Sequence, residues 1–151
     1  MNNKYKILAC ALILLGVDIL FTSISYELTG SWKYDGYSYI HYHNWDFEAN
    51  DWIAKYGHLG LGLMVIFNIP FLALLLCSRE RLLPSMGFMF GAMIEFGCRG
   101  VGIASHPLLW VFGENGRIAS SIIMLLVCAM SYGFIISFSA VRFAMWCRSH
   151  K

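Results

Sequence analysis

Charge is what this chain has least of. Only 13% of its 151 residues are Asp, Glu, Lys or Arg, where water-soluble domains carry about 25%. The net charge of +2 is too small, and the basic residues too scattered, to hold a nucleic acid. There is no Gly-rich phosphate loop, no Ser-His-Asp arrangement and no helix-spaced histidine pair suited to a haem, so no cofactor is implied. Internal repeats and low-complexity stretches are absent as well. The five cysteines make no framework. Cys10, Cys77, Cys98 and Cys128 lie in or at the ends of apolar segments, and Cys147 is in the terminal tail. None falls in the loops read as external, which argues against structural disulfides and a loop-thiol redox relay and favours small buried apolar residues.

What the chain has is apolar length. Hydrophobic residues make up 58% and the mean hydropathy is +0.60, which places it in the membrane class. Four apolar runs predict helices over about residues 7–24, 57–77, 85–105 and 118–141 of a single domain, 1–151, each near the roughly 20 residues that cross a bilayer. The expected fold is therefore an all-α four-helix transmembrane bundle. The first run lacks a convincing small-residue cleavage site and carries Asp18, so it reads as an uncleaved helix. Pro70 should kink the second helix. Pro107 should end the third, with residues 106–117 as a loop turning at Gly113-Glu114-Asn115-Gly116.

Residues 25–56 form the only long polar segment and are read as an external loop. Asp35-Gly36 sits among Trp32, Tyr34, Tyr37 and Tyr39, which predicts a small aromatic-rich β-hairpin. With Trp45 and Trp52 these rings suit the membrane–water boundary. His41, His43 and Asp46 have a spacing that could bind a metal, but no Cys or further His lies nearby to complete a set, so no metal is expected. Lys4, Lys6, Arg79, Arg81, Arg142, Arg148 and Lys151 fall on one side of the four runs. That bias puts both termini in the cytoplasm, here of a bacterial inner membrane.

The third run, residues 86–106, holds the most informative pair. Glu95 and Arg99 stand four residues apart on one helical face, and Gly87 and Gly91 precede them at the same spacing. Each charge would cost roughly 2.5–3.5 kcal/mol at the bilayer centre unless it faced protein or water. Small residues at 87 and 91 allow close helix approach, so this face points into the bundle. At 1.5 Å per residue, Asp18 lies ~18 Å from the cytoplasmic end of its helix, Glu95 ~15 Å, Arg99 ~21 Å and Asn68 ~14 Å. Asp18, Asn68, Glu95 and Arg99 thus form a candidate intramembrane polar site. It serves either as an ion-paired lock or as a site for substrate or protons.

The order of these features resembles the lipoprotein signal peptidase (signal peptidase II) family. LGVDILFTS (15–23) is similar to its first-helix Asp region, and KYGHLG (55–60) to its Asn-x-Gly-Ala-Ala-Phe segment. GAMIEFGCRG (91–100) resembles its G-A-x-G-N-x-x-D-R, and WVFGENGRIASSI (110–122) its W-x-x-F-N-x-A-D-x-x-I. The resemblance implies four helices, a membrane-lying β segment and an aspartyl protease whose catalytic carboxylates lie at the ends of helices three and four. At those positions this chain has Cys98 and, depending on a one-residue gap, Gly116 or Arg117. The family's Asn is Glu95, and its Arg is kept as Arg99. An aspartyl mechanism needs two carboxyls in distinct protonation states. The expectation is a non-catalytic relative that binds a lipid, a lipopeptide or a partner membrane protein. The alternatives are a divergent intramembrane hydrolase using Glu95 with Asp18 or Glu114, and an accessory or immunity-type subunit.

Overall fold

A computed structural model describes residues 3–29 and 58–149. They form four helices. Helix α1 is Asn3–Thr29, α2 is His58–Leu74, α3 is Leu82–Phe112 and α4 is Glu114–Ser149. No strand occurs among the described residues. The expected β-hairpin, with Trp32, Tyr34, Tyr37, Tyr39, Trp45 and Trp52, lies outside them, as do His41, His43 and Asp46.

Contacts at one end of the bundle set the helix directions. Lys4 Nζ donates to the Leu76 carbonyl at 3.2 Å, so α1 begins where α2 ends. Arg142 of α4 donates to the carbonyl of Glu80, in the turn between α2 and α3. Arg79 lies 4.1 Å above the Phe88 ring in the first turns of α3. The basic residues of the turn and of α4 therefore gather at the end of the bundle where α1 starts. The four helices alternate up, down, up, down.

The distribution of polarity is inverted relative to a water-soluble fold. The buried apolar side chains are Ala11, Leu15, Leu61, Leu75 and Leu109. Buried beside them are Asp18, Thr22, Ser25, Ser85, Glu95, Arg99, His106 and Ser120. Ile13, Leu20, Ile66, Phe67, Leu125 and Phe134 face outward, each more than half exposed. In water that surface would be untenable, whereas lipid makes it neutral and leaves polar contacts and close packing to hold the helices together. Asn3–Ser25, Leu82–Phe112 and Ile118–Ser149 are each long and apolar enough to cross a membrane. The described part of α2 is 17 residues, shorter than the other three helices.

Several boundaries differ from the sequence expectation. Residues 25–29, assigned to the loop, continue α1. Pro107 does not stop α3, which runs through it to Phe112. A proline inside a helix costs about 3 kcal/mol, but in apolar surroundings each unpaired backbone group of an irregular segment costs several kcal/mol, so continuing the helix is cheaper. The helix ends instead at Gly113, whose φ of 58° is accessible to glycine, and whose N–H bonds the Leu109 carbonyl at 2.8 Å. The expected loop over 106–117 thus shrinks to this one residue. Helix α4 begins at Glu114 and, at 36 residues, is about 54 Å long, longer than the hydrocarbon core requires. The cysteines are less enclosed than expected, with Cys10 exposed and the other four half-buried.

Candidate functional site: a polar seam between the first and third helices

Helix α3 is not regular. Residues Met93–Cys98 are wound as a π-helix, and the Arg99 N–H reaches the Ile94 carbonyl five residues back. The winding has a geometric effect. In an α-helix each four-residue step overshoots a full turn by about 40°, so Gly87, Gly91, Glu95 and Arg99 would drift around the axis. The wider π turn takes back that drift and keeps the four on one face.

The two glycines of that face meet α2. A Cβ on Gly91 would stand 2.8 Å from the Phe71 carbonyl oxygen and 3.0 Å from the Leu74 Cβ. One on Gly87 would stand 3.1 Å from a Leu74 methyl. Such close approach lets Asn68, on the same helix as Phe71, reach Arg99.

The structure brings Asp18, Asn68, Glu95 and Arg99 together around the guanidinium. Arg99 Nη1 donates to Asp18 Oδ2 at 2.9 Å. Its Nε and Nη2 reach Glu95 Oε2 at 3.1 and 3.0 Å. Its Nη2 also donates to Asn68 Oδ1, and the Asn68 amide nitrogen is fixed by the Met64 carbonyl at 2.5 Å. Glu95 has no solvent exposure and Arg99 only 6%. Both Arg99 donors converge on one oxygen of Glu95, and the other, Oε1, is buried with no hydrogen-bond partner. Asp18 lies over Gly102, where a Cβ would come to 3.6 Å from Oδ1.

One to two turns further along, a second cluster repeats the pattern without formal charge. Ser25 Oγ lies 2.7 Å from His106 Nδ1, and Thr22 Oγ1 lies 3.3 Å from Nε2. Trp110 Nε1 donates to Ser25 Oγ at 2.9 Å. With one proton on the ring, the chain fits Trp110 to Ser25 to His106 Nδ1, then Nε2–H to Thr22. Phe21 packs edge-on to His106 at 6.3 Å and against Trp110 at 5.5 Å. The sequence placed His106 only at the start of an expected loop, and Thr22, Ser25 and Trp110 were not among its candidate site residues. The signal was available: 18, 22 and 25 share a face of α1, as 99, 106 and 110 do of α3.

The α3–α4 contact is of another kind. A Cβ on Gly116 would be 2.2 Å from the Leu108 carbonyl oxygen and 2.6 Å from its carbon, so the two backbones touch there. Ser120 returns its hydroxyl to the Gly116 carbonyl at 2.8 Å. Lower down, Cys98 and Cys128 place their sulfurs 3.2 Å apart. The backbone of Glu114 opens α4, while its side chain and that of Arg117 lie outside the described residues. Among the described residues, no three His, Cys, Asp or Glu side chains group as a metal site.

No family model, curated protein or solved structure matches this chain.

Proposed function

We propose that this is a non-catalytic integral membrane protein, related to lipoprotein signal peptidases, that binds a lipid, a lipopeptide or a partner membrane protein. The supporting observation is where acids are not. Asp18 and Glu95 share one guanidinium in place of facing each other across a water. The positions that match the family's catalytic pair hold Cys98 and, in one alignment, Gly116, where a Cβ would already overlap the Leu108 carbonyl. On this reading the Arg99 centre is a lock that joins α1, α2 and α3. Recognition then falls to the outer parts of the helices and the aromatic segment 30–57. The decisive assay is incubation of the purified protein with a diacylglyceryl-modified prolipoprotein. No cleavage is expected, and retention of the lipidated peptide in native mass spectrometry is. Turnover abolished by Glu95→Gln or Asp18→Asn would establish the divergent hydrolase instead.

An accessory-subunit role is the second reading, supported by α4, in whose most apolar window no residue is buried. The proposed orientation, with both termini cytoplasmic, has its own test. Cysteines introduced at Ser31 and Asn115 should label from outside intact cells, and one at Ser149 only after the cells are opened.

A further inference from the structure

We propose that Cys98 and Cys128 are a redox-active dithiol, oxidised to a disulfide within the membrane by a lipid-soluble quinone. The two sulfurs come from different helices and lie 3.2 Å apart. A disulfide needs about 2.05 Å, so the sulfurs stand about 1.2 Å from bonding distance. The helices are already close here, since a Cβ on Gly97 would be 3.4 Å from a Val127 methyl. Cys98 is also the last residue of the π turn.

A soft metal is the other chemistry two thiols suggest. Among the described residues no third Cys, His or carboxylate joins them, so the pair does not make a four-ligand zinc site.

The surroundings select the oxidant. Both cysteines sit inside apolar spans, away from water-soluble disulfides. Gly97 and Val127, their chain neighbours, line a cleft of about 340 Å³ between α3 and α4, within the range of small-molecule sites. Phe96, Gly100, Val101 and Ile123 complete much of its wall. Glycines and aliphatic groups beside one phenyl ring suit a flat, apolar guest. In the reaction both S–H bonds break and one S–S bond forms. The two electrons and two protons released reduce one quinone to its quinol.

The test uses the full chain in phospholipid nanodiscs, reduced, under anaerobic conditions, with a short-chain benzoquinone. Quinol should form at one per chain, two of the five thiols should vanish from alkylation, and one peptide should link Cys98 to Cys128. A variant with Cys10→Ser, Cys77→Ser and Cys147→Ser should respond fully, which tests the pair without altering it. Cys128→Ser should abolish quinol formation. Thiols left intact by quinone would overturn the proposal. So would a bond formed by peroxide but not by quinone, or a linkage to any other cysteine.

Discussion

The two faces of α3 are held by opposite means. Toward α1 it presents Arg99, His106 and Trp110, each joined to a polar partner. Toward α4 it presents Gly97, Gly100 and Ala104 beside a cleft, a thiol contact and one backbone touch at Gly116. Lipid tails are as apolar as leucine, so neither face gains from a hydrophobic drive between helices. One interface is therefore specified by hydrogen bonds that lipid cannot replace, and the other by shape. The first should fail when a partner is removed, the second when an atom is added.

The largest effect is expected at the polar face. Arg99→Leu strands Asp18 and Glu95 without their guanidinium and should cost roughly 3–5 kcal/mol in a detergent melting assay. Removing Asp18 as well should recover part of that loss. A double variant no better than Arg99→Leu would assign the coupling to Glu95 instead. Next comes the shape-held face, where Gly116→Ala forces a methyl against the Leu108 carbonyl. Overpacking a filled site costs about 1–3 kcal/mol, and the shift should appear without any change at the α1 contacts. A Gly116→Ala loss exceeding that of Arg99→Leu would reverse the ranking of the two faces.

His106→Leu should be milder, about 1 kcal/mol, because Ser25 keeps the Trp110 donor and Thr22 can turn to its own helix. The check is the same detergent melting assay, where a loss as large as that of Arg99→Leu would place His106 at the head of the polar face. The smallest effect is expected for Glu95→Gln, less than about 1 kcal/mol. An amide oxygen can accept from Arg99 as Oε2 does, and Oε1 has no partner to lose. A large loss there would show that charge, not hydrogen bonding, holds the polar face.

How much of this was legible beforehand follows the same division. The shared depth of Asp18, Asn68, Glu95 and Arg99 came from counting a fixed rise along apolar helices. A helix in lipid cannot unwind cheaply, so the count is trustworthy there. The face of Gly87 and Gly91 was readable for the same reason. The π turn was not, because Glu95 and Arg99 four residues apart share a face in an ordinary helix as well. Pro107 misled for a related cause, since its rule as a helix breaker is calibrated on chains that water can hydrate. The backbone touch at Gly116 and the pairing of Cys98 with Cys128 depend on how two helices are rotated about their axes. Spacing within one helix does not report that.

The π turn also makes α3 two helices in phase terms. Residues 82–92 pack on α2 and α4, and residues 99–112 on α1 and α4, with Met93–Cys98 as the offset between them. Each residue of ordinary helix turns about 100°, and the wide turn absorbs one residue's worth, so excising one residue from it would rewind it as ordinary helix and leave both halves in phase. His106 would then keep Ser25 and Leu108 would keep Gly116, as Gly87 and Gly91 keep α2. A single-residue gap there changes no partner, whereas the same gap in the ordinary winding of residues 99–112 would turn the rest of the helix about 100° away from α1.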